Sequence, residues 1–501
     1  MPYRNPVIPG FHPDPSICRV GRDYYLVTSS FEYFPGLPIF HSRDLVNWRR
    51  LGFCLDRPSQ LDLEGTRPPF GIWAPTLRHH AGRFYVAGTN TGKKGNFLIS
   101  AENPAGPWTE PLWIDPKSWD PSLLFDDDGQ VYYHRAAPGN VLGARIDVET
   151  GRLQDELRPL DRGRCSPDME GPHLYRIDGR YYLLAAEGGT RFGHMATIAR
   201  SDSPWGPFEH CPRNPILTHR HLTGNTICCA GHGDLVQAHD GSWWIVFLAC
   251  RRAHWDALNV IGRETFLAPV AWVDGWPVVN DGRPIELEMP APTLPLHAWP
   301  AEPERDDFDA PALGLQYQHL RNPRAGSWSL EARRGWLRMA GNAAALDDAD
   351  APAFVARAAE SLTFRAAVRL SFEPSALTQE AGLSAYLDPR HHYEVLVTRR
   401  DGQRVVLARR RIGDVRIETP ALPLPAGPVV LEIRGDGERL SLGWSAAPDG
   451  PVQTLVSAEN KYLSIELANV YTGLVLAMYA TGCGQVSTAP ADFDWFDYRN
   501  G

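Results

Sequence analysis

Residues 170–187 read EGPHLYRIDGRYYLLAAE. Two β-favouring runs, His173 to Ile177 and Tyr181 to Ala185, flank an Asp178-Gly179 pair, which predicts a hairpin with a tight two-residue turn. Glu170 stands just ahead of the first run and Glu187 closes the second. The plan recurs in FHPDPSICRVGRDYYLVTSS around Asp14, WAPTLRHHAGRFYVAGTN from Trp73, WDPSLLFDDDGQVYYH at Asp120 and GHGDLVQAHDGSWWIVFLA at His232. Counted from Asp14, Ala74, Asp120, Glu170 and His232, the repeats lie 60, 46, 50 and 62 residues apart.

Strand-rich, helix-poor repeats of this period predict a propeller with one blade per repeat. Third strands are legible as PIFHS to Ser42, NFLIS to Ser100 and MATIARS to Ser201, and aromatics at Trp48, Trp108 and Phe208 open fourth strands. Five four-stranded blades then fill residues 1–290. The innermost strand of each blade lines the central channel, so Asp14, Trp73, Asp120, Glu170 and His232 are expected to ring one end of it. Residues far apart in sequence become neighbours.

Composition bounds the function. The 501 residues carry a net charge of −9 with a pI near 6.0 and no basic run, so neither nucleic acid nor an anionic membrane is an expected partner. The start MPYRNPVIPGFHPDP lacks a basic and apolar leader, and no window approaches 18 uninterrupted apolar residues, so the expected location is cytoplasmic. Eight cysteines without a CxxC pair, two of them adjacent at Cys228-Cys229, suit neither a disulfide framework nor a zinc site.

From Leu287 to Arg305 the chain reads LEMPAPTLPLHAWPAEPER, a proline-rich connector without periodicity. Residues 291–304 are the expected linker. Beyond it, alternating runs such as HYEVLVTR and PVVLEIR between Gly, Pro and Asp turns predict an antiparallel β-sandwich over residues 305–501. The similar segments DDFDA around Phe308 and ADFDWFDY around Phe493 suggest that its two ends pair.

Three acids facing one pocket raise one another's pKa and cost stability, which asks for a chemical reason. Glycoside hydrolysis supplies one, since it needs a protonated carboxyl for the leaving oxygen and an ionised one to activate water or attack the sugar. The competing structural reading is that Asp14 and Asp120, each followed by Pro-Ser, only open turns.

The ordered phrases PGFHPDPS, IWAPTL, SWDPSLLFDDDG, EGPHLYRIDGRYYLLAAEGGT, GHGDLV and IGRETFLAPVAWVDGWPVVN resemble the motif series of glycoside hydrolase family 43. Over nearly its whole length the chain is similar to the β-xylosidase type with a C-terminal β-sandwich. The resemblance implies a five-bladed propeller, a lectin-like sandwich and hydrolysis with inversion. Position by position it makes Asp14 the general base, Asp120 the modulator of the acid, and Glu170 the general acid, with Glu187 the rival for that role. It also implies that Arg263 of GRET reaches the pocket, against the plain alternative of a surface pair with Glu264. His232 of GHGD would lie near the base at the axis, or be a satisfied core histidine. Phe31 and Trp73 would wall the terminal-sugar subsite, unless they are core aromatics. Tyr471 of NVYTG stands where relatives insert a phenylalanine from the sandwich into the pocket.

The activity implied is exo-acting release of D-xylose from non-reducing ends of β-1,4-xylo-oligosaccharides, with α-L-arabinofuranosidase as a side activity. The alternatives are an α-L-arabinofuranosidase or arabinan-trimming hydrolase, and a sugar-binding propeller without turnover. A retaining fructosidase-like enzyme would carry Asn-Asp-Pro-Asn and Glu-Cys motifs where this chain has PDPS and EGPH. No cofactor is expected, although some relatives hold a calcium-linked water network near the equivalent of His232, so a structural calcium at the axis is the one metal to consider. The expected partners are the oligosaccharide and further copies of the chain.

Overall fold

The computed structural model describes residues 2–116 and 118–501. It is nearly all β: a five-bladed β-propeller followed by a β-sandwich. The hairpin that decides the fold runs from Met169–Ile177 to Arg180–Glu187, with Ile177 opposite Arg180. Asp178 and Gly179 both have positive φ, 49° and 80°, as a turn matched to strand twist requires. Ala81-Gly82 makes the same turn in the second blade.

The inner strands are Ser16–Val20, Ile72–His80, Trp119–Phe125, Met169–Ile177 and Ile227–Gln237, and each begins a separate antiparallel sheet. The first blade's fourth strand opens at Trp48, whereas Trp108 and Phe208 are buried residues that precede theirs. The third and fourth blades each add a short fifth strand.

One detail departs from the sequence reading. Ladder slips between Trp73 and Thr76, Trp119 and Ser122, and Glu170 and His173 align Glu170 with the two tryptophans. The residue that matches Asp120 is therefore Gly171, and Asp14, Asp120, Gly171 and His232 share positive φ values of 54°, 51°, 56° and 43°. The ladder bulges identically in the three blades, so the one-residue offset comes from matching Glu170 to Asp120 as acids, whereas the shared proline of WAP, WDP and EGP matches Glu170 to Trp119 and Gly171 to Asp120. Gly171 is required for space as well: a Cβ there would lie 2.8 Å from the His232 ring.

Below these starts the axis is closed by polar side chains from several blades. Asp234, fully buried, accepts from Ser16 Oγ (2.6 Å), Arg78 Nη1 (2.9 Å) and Tyr175 Oη (2.5 Å). Arg78 also reaches His173 Nδ1 at 3.0 Å. A buried acid and arginine satisfied by several hydrogen bonds fix the rotation of the blades about the axis.

Residues 290–304 have no regular secondary structure but are docked rather than free. Asp44 Oδ2 accepts from His297 N at 2.6 Å, and Arg49 stacks 3.9 Å from the Trp299 ring centre. The sandwich packs an eight-stranded sheet on a seven-stranded one around a core that includes Leu337, Val368, Leu383, Val395 and Met478. Its ends pair, Arg305 opposite Asp497 and Asp306 opposite Phe496.

The two domains share backbone as well as side chains. His319–Leu320 pairs with Tyr33–Phe34 of the first blade, and Leu474 N donates to Val260 O at 3.1 Å. Beside that bond Gly473 abuts Ile261, where a Cβ would stand 1.9 Å from the carbonyl oxygen. Only glycine lets the segment carrying Tyr471 approach so closely.

Candidate active site

Asp14, Phe31, Trp73, Asp120, Glu170, His232, Arg263 and Tyr471 all line one pocket of about 410 Å³ at the end of the propeller axis. Asp14 sits deepest in charge contacts. Its Oδ1 accepts from Arg263 Nη1 at 2.8 Å, its Oδ2 from Ser29 Oγ at 2.5 Å, and His232 Nδ1 lies 3.8 Å from Oδ1. Burial opposes its ionised form, but Arg263, His232 and the Ser29 bond outweigh it and hold the carboxyl below the ordinary range. Asp14 is an ionised carboxylate at neutral pH.

Glu170 has the opposite environment. Burial, and then the negative charge of Asp14, push its carboxyl up to about 7. Asp120 is raised as well, by burial, Glu170 and Asp14, and its Oδ2 accepts from Gly171 N at 2.9 Å. That bond fixes the backbone beside Glu170. The pocket therefore holds one acid kept charged, Asp14, beside a pair, Asp120 and Glu170, shifted toward the protonated form, which sorts acid from base.

Arg263 does not pair with Glu264. Successive side chains on a strand face opposite ways, and Glu264, fully buried, accepts from Arg251 Nε at 2.7 Å instead. Arg263 Nη1 also donates to Thr190 Oγ1 at 2.9 Å, and its Nε to the Tyr471 carbonyl at 3.3 Å. Phe31, Trp73 and Tyr471 form one aromatic cluster with ring centres 6.0–6.5 Å apart. The sandwich thus supplies one wall of a propeller pocket.

Glu187 lies outside this pocket. It is fully buried, its Oε2 accepting from Cys165 N (2.7 Å) and Ser166 N (2.8 Å) and its Oε1 from Thr197 Oγ1 (2.7 Å). Among the described residues no three His, Cys, Asp or Glu side chains stand together as ligands for a metal ion. Two residues along the strand from His232, Asp234 pairs with the Arg78 guanidinium at 2.9 Å. Among the described residues His232 and its neighbours do not form a direct donor set for calcium.

Sequence reasoning missed Ser29, Thr190, Trp119 and Asp168 at the pocket and Asp234, Arg78 and Tyr175 beneath it. Ser29 and Thr190 left only a weak signal, as small polar residues ending hairpin strands. Asp234 was legible as the carboxylate of the GHGD phrase.

An axial pocket with three enclosed carboxylates, Asp14, Asp120 and Glu170, and an arginine, on a five-bladed all-β propeller, defines the class as a propeller glycoside hydrolase. The sequence signature of Glycosyl hydrolases family 43 matches residues 3–277, and that of the Beta xylosidase C-terminal Concanavalin A-like domain matches residues 305–499. The chain belongs to family 43. It is 43% identical to a non-reducing end alpha-L-arabinofuranosidase of Bacteroides ovatus, over 99% of this chain and 94% of that one. A beta-xylosidase of Bacillus subtilis is 34% identical over the whole of both chains. Among solved structures, a Bacteroides ovatus protein described as xyloglucan PUL GH43B superposes with a TM-score of 0.97 at 43% identity, each chain fully covered. The xylan beta-1,4-xylosidase from Bacillus halodurans gives 0.94 at 35% identity, with 99% and 100% covered.

Proposed function

We propose that this hydrolase removes single terminal pentoses from non-reducing ends with inversion, releasing D-xylose from β-1,4-xylo-oligosaccharides and having α-L-arabinofuranosidase as a side activity. The observation that carries the reading is the opposed charge of Asp14 and Glu170 in one pocket closed on one side by Tyr471. Asp14 takes a proton from water as that water attacks the anomeric carbon. Glu170 gives its proton to the departing glycosidic oxygen on the other face. Asp120 holds the backbone beside Glu170, and Arg263 keeps Asp14 charged and is placed to meet sugar hydroxyls. Phe31, Trp73 and Tyr471 cover the apolar faces of the sugar.

A second reading makes arabinofuranose the main substrate, favoured by the 43% identity to an enzyme named for that sugar. Both pentoses fit a pocket of this size. The discriminating experiment compares kcat/KM on aryl β-D-xylopyranoside and aryl α-L-arabinofuranoside. A higher value on the xyloside supports the first reading, a higher value on the arabinofuranoside the second, and binding without turnover of either overturns both. Homo-oligomerisation is part of the proposal and is read by light scattering.

A further inference from the structure

The fully buried Glu187 has no place in the chemistry above, yet its carboxylate fastens the loop of residues 162–168 through Cys165 N and Ser166 N. Ser166 Oγ in turn accepts from Asp168 N at 3.2 Å. A loop anchored this way delivers Asp168 to the pocket lining, two residues ahead of Glu170. The other acids of the pocket are buried or half-buried, whereas Asp168 is exposed, so it stands at the mouth. No ion-pair or hydrogen-bond partner for its carboxylate is seen among the described residues. Phe31, Trp73 and Tyr471 occupy the enclosed side, with Phe31 fully buried. A terminal sugar seated against those rings therefore directs its leaving group toward Trp119, Pro138 and Asp168.

We propose that Asp168 is a specificity-determining residue of the leaving-group subsite: its unpaired carboxylate accepts hydrogen bonds from hydroxyls of the departing sugar and repels leaving groups that carry a carboxylate. The proposal rests on the glycosidase reading given above. A hydrogen bond to a charged acceptor at this place favours a saccharide leaving group over one without hydroxyls. Its negative charge also adds to the field that keeps Glu170 protonated.

The test uses the full-length enzyme and its Asp168→Asn variant on three substrates: a pentose disaccharide, the same disaccharide oxidised at its reducing end to the aldonate, and an aryl pentoside. The expected result is a fall of roughly ten- to a hundredfold in the disaccharide-to-aryl ratio of kcat/KM, the range of a charge-assisted hydrogen bond. The aldonate should gain on the neutral disaccharide. Equal losses on disaccharide and aryl substrate, as a disordered loop would give, overturn the proposal, and so does an aldonate preference unchanged from wild type. Failure of the wild type to cleave the aryl pentoside would instead overturn the glycosidase reading.

Discussion

Arg263 donates to Asp14 at 2.8 Å while the same guanidinium reaches the sandwich through the Tyr471 carbonyl at 3.3 Å. The charge on the proposed base is therefore tied to domain docking. Replacing Arg263 by methionine leaves Asp14 buried without its main cation, and the acidic limb of the kcat/KM profile should rise by roughly one to two pH units. The rate at the optimum should fall on the order of a hundredfold. An acidic limb that stays where it was would separate Arg263 from the base.

The wild-type profile should be bell-shaped. Asp14 must be ionised, and its carboxyl lies below the ordinary range; Glu170 must be protonated, and its carboxyl lies at about 7. Activity should fall on the acid side only below the ordinary carboxylate range and on the basic side above pH ~7. Asp120→Ala removes the acceptor for Gly171 N and a carboxyl that interacts with Glu170, so the rate should drop and the basic limb should move. An unmoved basic limb would take Asp120 out of the mechanism.

Glu170 and Glu187 end the same hairpin in opposite circumstances. Glu170→Gln should cost about 10²–10⁴ in kcat on substrates with a sugar leaving group and much less on nitrophenyl glycosides, whose departure needs no proton. In Glu187→Gln the amide oxygen can still accept from Cys165 and Ser166, so its loss should be similar on both substrate types. The reverse pattern would make Glu187 the acid.

Much of this was legible because repeated local chemistry carries global information. Five turn-flanked strand pairs with a shared period announced the blades, and the recurrence of an acid before Pro-Ser pointed Asp14 and Asp120 at the axis. The exact place of Glu170 was legible only from the proline shared by WAP, WDP and EGP, which matches it to Trp73 and Trp119, and not from counting acids, which matches it to Asp120. Arg263 and Glu264 are adjacent in sequence, and only the strand pleat sends one to the pocket and the other to Arg251. The Asp234–Arg78–Tyr175 cluster joins three blades, and although Asp234 stands in the GHGD phrase, nothing local pairs it with Arg78 or Tyr175.

Glu32 offers a stability measurement independent of turnover. It is fully buried behind Phe31, and burial raises its carboxyl to about 7 although Arg321 opposes the shift. Its folded pKa lies above the unfolded value, so its favourable contribution is complete below pH ~4.5 and is lost as pH rises toward ~7. Glu32→Gln should therefore gain stability over wild type between pH 5 and pH 8, by up to about 3 kcal/mol. Denaturant midpoints of the two proteins at both pH values check this, and a pH-independent difference would contradict it.

The most direct test of the central claim, that Asp14 activates water opposite the proton donor Glu170, is ¹H NMR of the first sugar released from an aryl β-D-xylopyranoside, taken before mutarotation. The account predicts α-D-xylose first. β-D-xylose appearing first would mean retention and would contradict it.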